Sequence, residues 1–441
     1  MSKWVNKWSL LFLMAGVQLL LAFSLGLSHD EAYYWLYSKN LDWGYFDHPP
    51  VVGLTIALFS FLPHEKGFIR LGFILQQALT LFLLLQIVPK SRHFVASLLF
   101  LASPLAFFTG FLALPDMPLL FFSALFCYLL KKYLEEDRPL WVLCLGIVIP
   151  GMLYAKYHGI LLIFFSLLAL PKLLKRKSFY VIVAISVTLF LPHLFWQVAH
   201  DFSTLRYHFL ERPKAGFSVG RIFEYLGLQL FIVGLFTGPI IWWSILRERS
   251  ENLFDRAMKF NAIGIVLFFL VSTFSKKFEA NWTIPATIPL IYWGVRTPLW
   301  KKGWAHLLLY ASAAIALLFA LTVGLVPDAV PFKRLKEFQG WEEWSQKVQS
   351  LCGKKPLVAN TYQIASKLSF YLETQVPALN YHSRKNQFDY WRFQDELPEG
   401  DVCYITDKEE FSGEEILTPE GKRFKIHTSN VSELWSLKAE Q

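Results

Sequence analysis

The sequence predicts an all-α polytopic membrane protein of about eleven transmembrane helices, with a small C-terminal α/β domain outside the membrane. Three observations predict it. Of 441 residues, 54% are hydrophobic and 17% charged, and the mean hydropathy is +0.37; a soluble domain carries roughly 25% charged residues. Apolar runs recur at lengths suited to about 30 Å of hydrocarbon, which takes roughly 20 helical residues. From about Pro327 the composition turns to that of ordinary soluble sequence.

The runs lie near residues 9–27, 68–88, 93–113, 117–133, 139–153, 157–171, 179–198, 221–246, 258–275, 282–296 and 304–326. The fifth and sixth are short and interrupted by Pro150, Gly151 and Gly159, which suits backbone buried in protein at membrane depth. With the N-terminus in the cytoplasm, the inside segments hold Lys3 and Lys7, then Lys90 and Arg92, then Lys131, Lys132 and Arg138. Further along they hold Lys172, Lys175, Arg176 and Lys177, then Arg247, Arg249 and Arg256, then Arg296, Lys301 and Lys302. Every inside segment is basic, as the positive-inside rule requires, and an odd span count then places the tail outside. The net charge of +9 is therefore a topology signal and not a nucleic-acid footprint. No small-x-small cleavage site precedes Ser28, so the first run reads as an uncleaved span.

Two domains follow: residues 1–326 in the membrane, with a first external loop at 28–67, and residues 327–441 outside. In the tail, Lys355 to Ala359 and Asp401 to Ile405 read as strands, with an amphipathic helix from Thr361 to Leu372 between them. Cys127 and Cys144 fall in spans. Cys352 and Cys403 share the external domain, where a disulfide is permitted, although nothing in the sequence sets their separation.

The first external loop is the densest in chemistry. Asp30 and Glu31 stand directly at the end of a span, a costly place that usually serves an ion, proton or substrate path. Acidic residues also cap helix N-termini, and both readings stand for this pair. Asp47 closes the loop and Asp116 lies at the same predicted face, where it too could be a cap. With His29, His48 and His158 nearby, these carboxylates offer either ligands for a divalent cation or a base for an acceptor hydroxyl. Lys276 and Lys277 sit outside against the charge bias, as an anionic partner such as a lipid phosphate would explain, and as snorkelling would too. Lys156, between two short apolar stretches, needs a counter-ion.

The stretch Asp30-Glu31-Ala32-Tyr33-Tyr34-Trp35, followed by Gly44-Tyr45-Phe46-Asp47-His48-Pro49-Pro50, resembles the first loop of bacterial membrane glycosyltransferases. These form the protein O-mannosyltransferase and aminoarabinose (lipid A) transferase group of the GT-C superfamily. Pro115-Asp116-Met117-Pro118, Ala155-Lys156-Tyr157-His158-Gly159, Glu279-Ala280-Asn281-Trp282 and Ser383-Arg384-Lys385-Asn386-Gln387-Phe388-Asp389-Tyr390-Trp391 agree with it, so the resemblance spans most of the chain. It implies a GT-C fold in a bacterial cytoplasmic membrane and transfer of a hexose or pentose from a polyprenyl-phosphate donor. The acceptor would be lipid A, another glycan or a protein at the outer face, and the anomeric carbon would invert in one displacement.

The resemblance also implies roles. Asp30 is the catalytic carboxylate with Glu31 beside it, and Asp116 is the acidic residue of the second external loop. Lys276 and Lys277, with Lys156 and Arg206 as further candidates, would meet the donor phosphate. Asp47 stands where the family has a metal ligand for an ion such as Mg, Mn or Zn, and His48 replaces a lysine. The family's later histidine ligand corresponds to His200 or His208. The aromatic residues Tyr33, Tyr34, Trp35, Trp43, Tyr45 and Phe46 either stack on sugar or form an interfacial belt. A lipid or ion transporter is the alternative, and an inactive scaffold a third. The enzyme is favoured because the acidic groups gather at one face and no internal repeat is visible, whereas transporters place such groups near the midplane of repeated halves.

Overall fold

Ser28 and Glu31 end one helix and start another. The first apolar helix, α1 (Lys7–Ser24), gives way to α2 (His29–Lys39), and the two axes meet at 89°. The Ser28 hydroxyl accepts from the Glu31 amide while the Glu31 carboxylate accepts from the Ser28 amide, a reciprocal capping box that forces the new start. Helix α2 therefore leaves the span and runs across its mouth.

A computed structural model describes residues 7–207, 216–274, 277–326 and 333–439. After α2 come α3 (Val51–Ala57), α4 (Lys66–Ile69), α5 (Leu71–Ile87), α6 (His93–Ala102), α7 (Pro104–Thr109), α8 (Asp116–Glu135), α9 (Pro139–Ala155), α10 (Ile160–Ala169) and α11 (Lys177–Ala199). Then follow α12 (Ser203–Arg206), α13 (Val219–Phe231), α14 (Thr237–Arg247), α15 (Leu253–Ser272), α16 (Thr287–Arg296) and α17 (Gly303–Leu325). By length and apolarity four segments suffice to cross a membrane, at Lys66–Ile87, Asp116–Glu135, Lys177–Ala199 and Gly303–Leu325. The bent pair α1–α2 makes a fifth.

That is fewer than the eleven apolar runs, because several runs are broken within the bundle. Pro104 lacks an amide hydrogen and splits the third run into α6 and α7, with Ser103 capping the second piece. Gly234, at φ 118°, splits the eighth into α13 and α14. A Cβ on Gly238 would sit 1.4 Å from the Leu230 carbonyl oxygen, so glycine is required there for the two halves to fold back. Freed backbone groups find partners inside: the buried Ser103 hydroxyl donates to the Ile232 carbonyl at 2.8 Å.

The tail is a small mixed sheet with helices. Helix α18 (Trp341–Cys352) precedes β1 (Leu357–Ala359), α19 (Tyr362–Tyr371), α20 (Phe388–Trp391), β2 (Asp401–Thr406), β3 (Glu414–Leu417), β4 (Arg423–Asn430) and α21 (Val431–Ala439). The strand order is β1-β2-β4-β3, with β1 and β2 parallel and the other pairs antiparallel. The two strands and the helix expected from sequence are β1, β2 and α19. The hairpin β3–β4 adds the rest; its largely polar, half-exposed strands carry little apolar signal.

A disulfide joins Cys352 at the end of α18 to Cys403 in β2, across 51 residues of sequence. Loss of such a cross-link typically costs about 2–5 kcal/mol. Cys352→Ser should therefore lower the midpoint of the tail's thermal transition, and dithiothreitol should lower the wild-type midpoint while leaving the variant's unchanged. An equal response of both proteins to reductant would remove the cross-link from the account.

The tail is seated on the exit of α1. Gly26 donates to the Phe338 carbonyl at 2.9 Å, and a Cβ there would lie 2.6 Å from that oxygen. The Leu27 amide donates to the Tyr371 hydroxyl at 3.1 Å. The buried Lys367 ammonium donates to the carbonyls of Leu27 and Glu337 and lies 4.7 Å from the Trp341 ring centre.

Candidate active site

The site begins with a buried ion pair that aims α2. Arg70, fully buried, donates from Nε and Nη2 to the two Glu31 oxygens at 2.7 Å each, and its remaining hydrogens go to the carbonyls of Ala22, Leu25 and Gly26. Glu31 also accepts from the Ala113 amide at 2.9 Å and from Ser28. Burial alone would raise the Glu31 pKa, but Arg70 and these amides hold it below the usual carboxylate range. Glu31, expected beside the catalytic carboxylate, is thus wholly engaged in joining the end of α1, the start of α2 and the loop before α8.

The first loop folds back under α2. Tyr45 stacks on Tyr37 with ring centres 3.8 Å apart, and its hydroxyl donates to the Asn40 carbonyl at 2.8 Å. From α11, Trp196 donates to the Asp42 carboxylate at 2.8 Å and the His193 ring lies 2.6 Å from the Trp43 carbonyl. Of the six loop aromatics named above, Trp43 is 56% exposed and the others are buried, so most of that cluster is packing.

Asp47 sits where the loop meets the tail. One oxygen accepts from the Tyr33 hydroxyl at 2.9 Å and the other from Arg384 Nη1 at 2.7 Å. The Arg384 guanidinium also lies over the rings of Tyr207 and Tyr362, at 5.1 and 5.4 Å. Beside it, the Gln387 side chain accepts from the Phe46 amide at 2.8 Å, and the Gln387 amide donates to the Tyr33 hydroxyl at 2.7 Å. Two sequence motifs more than three hundred residues apart thus form one surface.

Asp30 lies beside this surface, within reach of the charges of Asp47 and Arg384. Its carboxylate is solvent-exposed and has no hydrogen-bond partner among the described residues, yet protein surrounds it on the wider scale. That enclosure, together with the charges of Glu337 and Asp47 and against the opposing charge of Arg384, pushes its pKa up to about 7. The residue before it is held differently: His29 donates its amide to Glu337 at 2.7 Å, and its ring Nε2 lies 2.9 Å from Glu420.

The other three motifs converge at a second point. Buried Asp116, in the first turn of α8, accepts from Lys156 at 2.9 Å and from Asn281 at 3.0 Å. The His158 ring stacks near Trp282. Lys156 has found its counter-ion in Asp116 and is not open to a phosphate in this arrangement. Lys277 and Arg206 are exposed. His48 is partly buried against Tyr34, and the His200 ring stacks on Trp196 at 4.0 Å. Lys276 and His208 lie outside the described residues. Among the described residues no group of three or more His, Cys, Asp or Glu converges as a metal cage. Both Asp47 oxygens hold protein donors.

Sequence reasoning missed Arg70 and Arg384 as members of the site. Arg70 had a signal: a single arginine at the start of a long apolar run demands a buried anion. Arg384 stood in a quoted motif whose partner in the first loop is 337 residues away.

Comparison with known proteins finds similar chains. The family profile described as dolichyl-phosphate-mannose-protein mannosyltransferase matches residues 47–196. The lipid A galacturonosyltransferase RgtD of Rhizobium johnstonii is 24% identical, over 79% of this chain and 80% of its own. In fold, the chain is similar to ArnT of Cupriavidus metallidurans in the apo state, with TM-score 0.69, 13% identity and 97% of each chain covered. The same protein bound to undecaprenyl phosphate gives TM-score 0.67 and 14% identity, over 95% of this chain and 97% of that one. In loop motif, membrane bundle and seated tail, the chain is thus similar to membrane glycosyltransferases of the GT-C type, in the group of protein O-mannosyltransferases and ArnT-like transferases.

Proposed function

We propose that the chain transfers a sugar from a polyprenyl-phosphate donor to a hydroxyl of lipid A or a related envelope acceptor at the outer membrane face, with Asp30 as the base. The carrying observation is the Asp30 carboxylate, exposed and without a hydrogen-bond partner among the described residues, beside the charges of Glu337, Asp47 and Arg384, with a pKa pushed up to about 7. A general base works best with a pKa near the working pH. Asp30 takes the acceptor proton as the hydroxyl oxygen bonds to the anomeric carbon; the bond from that carbon to the phosphate oxygen breaks, and polyprenyl phosphate departs with inversion. The relative named a lipid A galacturonosyltransferase supports a uronic acid as the sugar, and the similar fold solved with undecaprenyl phosphate supports the donor's lipid.

In this reading Glu31 is a positioning residue, and the Asp116, Lys156 and Asn281 group shapes the acceptor side. Lys277 and Arg206, with Lys276, guide the donor phosphate by charge. A divalent ion at Asp47, His48 and His208 rests on the resemblance alone, and no step here runs through it. The test is direct: purified protein in nanodiscs is given lipid A and a polyprenyl-phosphate-linked hexuronic acid, hexose or aminopentose, and products are weighed by mass spectrometry. Transfer from the hexuronic acid donor is expected, and no transfer from any donor would remove the reading.

The reading also needs the N-terminus in the cytoplasm, eleven crossings with broken helices completing several of them, and the tail outside. An alkaline phosphatase fused after Gln441 should be active in cells, and a reporter active solely in the cytoplasm at that position would contradict the orientation.

A further inference from the structure

A cleft of about 520 Å³ opens at the end of the bundle remote from Asp30. Helix α5 starts beside the Arg70–Glu31 pair and α8 starts at Asp116; both run away from the site and end in this cleft, where they meet the start of α15 and the end of α16. Four of the basic segments expected to face inside border it, those of Lys90, Lys131, Arg256 and Arg296. Its walls are largely apolar, from Ile87, Val88, Leu134, Leu253 and Phe254, and Leu253 is 52% exposed at the rim. Most charges there are already matched. Fully buried Asp255 accepts from the Tyr292 hydroxyl at 2.5 Å and pairs with Arg296 at 3.0 Å, which also reaches Glu251 at 3.0 Å. Glu135 is taken by Lys132 at 3.0 Å. Lys131 differs: half-buried in the wall, it makes no ion pair among the described residues and donates at 3.3 Å to the Ile87 carbonyl. Asn252 caps α15 with its Oδ1, which accepts from the Asp255 amide at 2.8 Å, and its NH2 group donates to no described residue.

We propose that this cleft holds one anionic phospholipid from the leaflet opposite the tail, with its phosphate on Lys131 and its glycerol and upper acyl carbons along the apolar walls. A half-buried ammonium without a carboxylate needs a counter-ion, and a phosphate supplies it through a charge-assisted hydrogen bond. Asn252 adds a neutral donor. The apolar walls select an amphiphile over a small soluble anion, because a bare phosphate would leave them wet whereas lipid carbons cover them. Basic pockets between helix ends on the cytoplasmic side are where acidic headgroups are recognised. A second cleft of about 220 Å³ adjoins at Pro89 and Arg296, but Glu248 and Glu251 line it beside Arg92, so the phosphate belongs in the larger one. A lipid seated there ties together the ends of α5, α8, α15 and α16, and should raise the stability of the bundle by mass action. The inference stands apart from the sugar-transfer reading; it takes from the orientation only that this leaflet is the cytoplasmic one.

The experiment uses the full-length protein, stripped of lipid in a neutral detergent and titrated with phosphatidylglycerol, phosphatidylcholine or inorganic phosphate. Native mass spectrometry counts bound lipids, and melting temperatures follow the stabilisation. One phosphatidylglycerol should be retained tightly per chain and should raise the melting temperature, with phosphatidylcholine held more weakly. Lys131→Gln should weaken phosphatidylglycerol by about 10- to 100-fold, the scale of one charge-assisted hydrogen bond. Glutamine can still donate to the Ile87 carbonyl, so a role confined to capping α5 survives this change, and unaltered lipid binding in that variant would overturn the proposal. Lys132→Gln, next in sequence but paired with Glu135, should bind as wild type; a loss equal to that of Lys131→Gln would mean a diffuse basic belt and overturn it too. Leu253→Glu sets a carboxylate at the rim, in the first turn of α15 where an acid suits the helix, and should also expel the lipid. That variant decides alone if Lys131→Gln folds poorly, and its retaining phosphatidylglycerol like wild type would defeat the proposal. Equal retention of phosphatidylcholine would refute the anionic headgroup, and displacement of phosphatidylglycerol by inorganic phosphate would make this a soluble-anion site instead.

Discussion

Asp30→Asn slows sugar transfer by about 10²- to 10⁴-fold, the usual contribution of a general base, while the protein still folds. The substitution keeps the shape of the side chain and leaves the Ser28–Glu31 capping box untouched. The pH dependence has a definite sign. The Asp30 pKa is raised to about 7, so its basic form is in the minority below that value and dominant above it. Wild-type turnover should therefore climb as pH rises through about 7 and level off, whereas the Asn variant should show no such inflection. Stability runs the other way. A carboxyl whose folded pKa is raised favours the fold while protonated and loses that contribution as pH rises through about 7, so at pH 8 the Asn variant should melt no lower than wild type. Purified proteins assayed between pH 5 and 9 on the same donor decide the matter. A variant with near-normal turnover, or one with the wild-type inflection intact, would return Asp30 to the status of a solvated residue at a helix start.

Arg70→Met should be the most damaging single change to the fold. It removes every donor that Arg70 gives to Glu31 and to the three carbonyls at and just beyond the end of α1, and leaves a fully buried carboxylate without its cation. Breaking a buried pair from one side costs about 3–5 kcal/mol, more than replacing both partners together. The single variant should lose most of its folded yield in detergent, and Arg70→Met with Glu31→Gln should recover part of it. Melting temperatures by intrinsic tryptophan fluorescence read the difference. A single variant as stable as the double would show that the pair is not what holds α2 across the mouth of α1.

The expected parts of this molecule are those whose cause is local. Asp30 stood out as a candidate because a carboxylate at the edge of an apolar run is expensive, and the cost is visible in the residues themselves. The α2 start was legible because acidic residues such as Asp30 and Glu31 favour a helix N-terminus. Lys156 was legible as a charge in need of a counter-ion, yet its partner Asp116 lies 40 residues earlier, and no local pattern links them. Arg384 illustrates the same limit more strongly: its role depends on contact with Asp47, and contact across a fold is set by packing and not by period. The eleven apolar runs outnumber the long apolar helices for another reason. Hydropathy measures whether a stretch is apolar, and it is blind to the Pro104 and Gly234 breaks that let one apolar run become two helices in a bundle able to satisfy the freed backbone.

The seam between the first loop and the tail bears on when the protein becomes competent. Tyr33 and Gln387 are hydrogen-bonded across 354 residues, and Asp47 and Arg384 across 337. Ribosomes deliver the first of these partners to the membrane long before the second, so throughout synthesis the Asp30 carboxylate has no enclosing wall. The recess closes after the last hundred or so residues have emerged and folded against α2. A chain cut short by premature termination should then lack the tail that packs against α2 and be inactive.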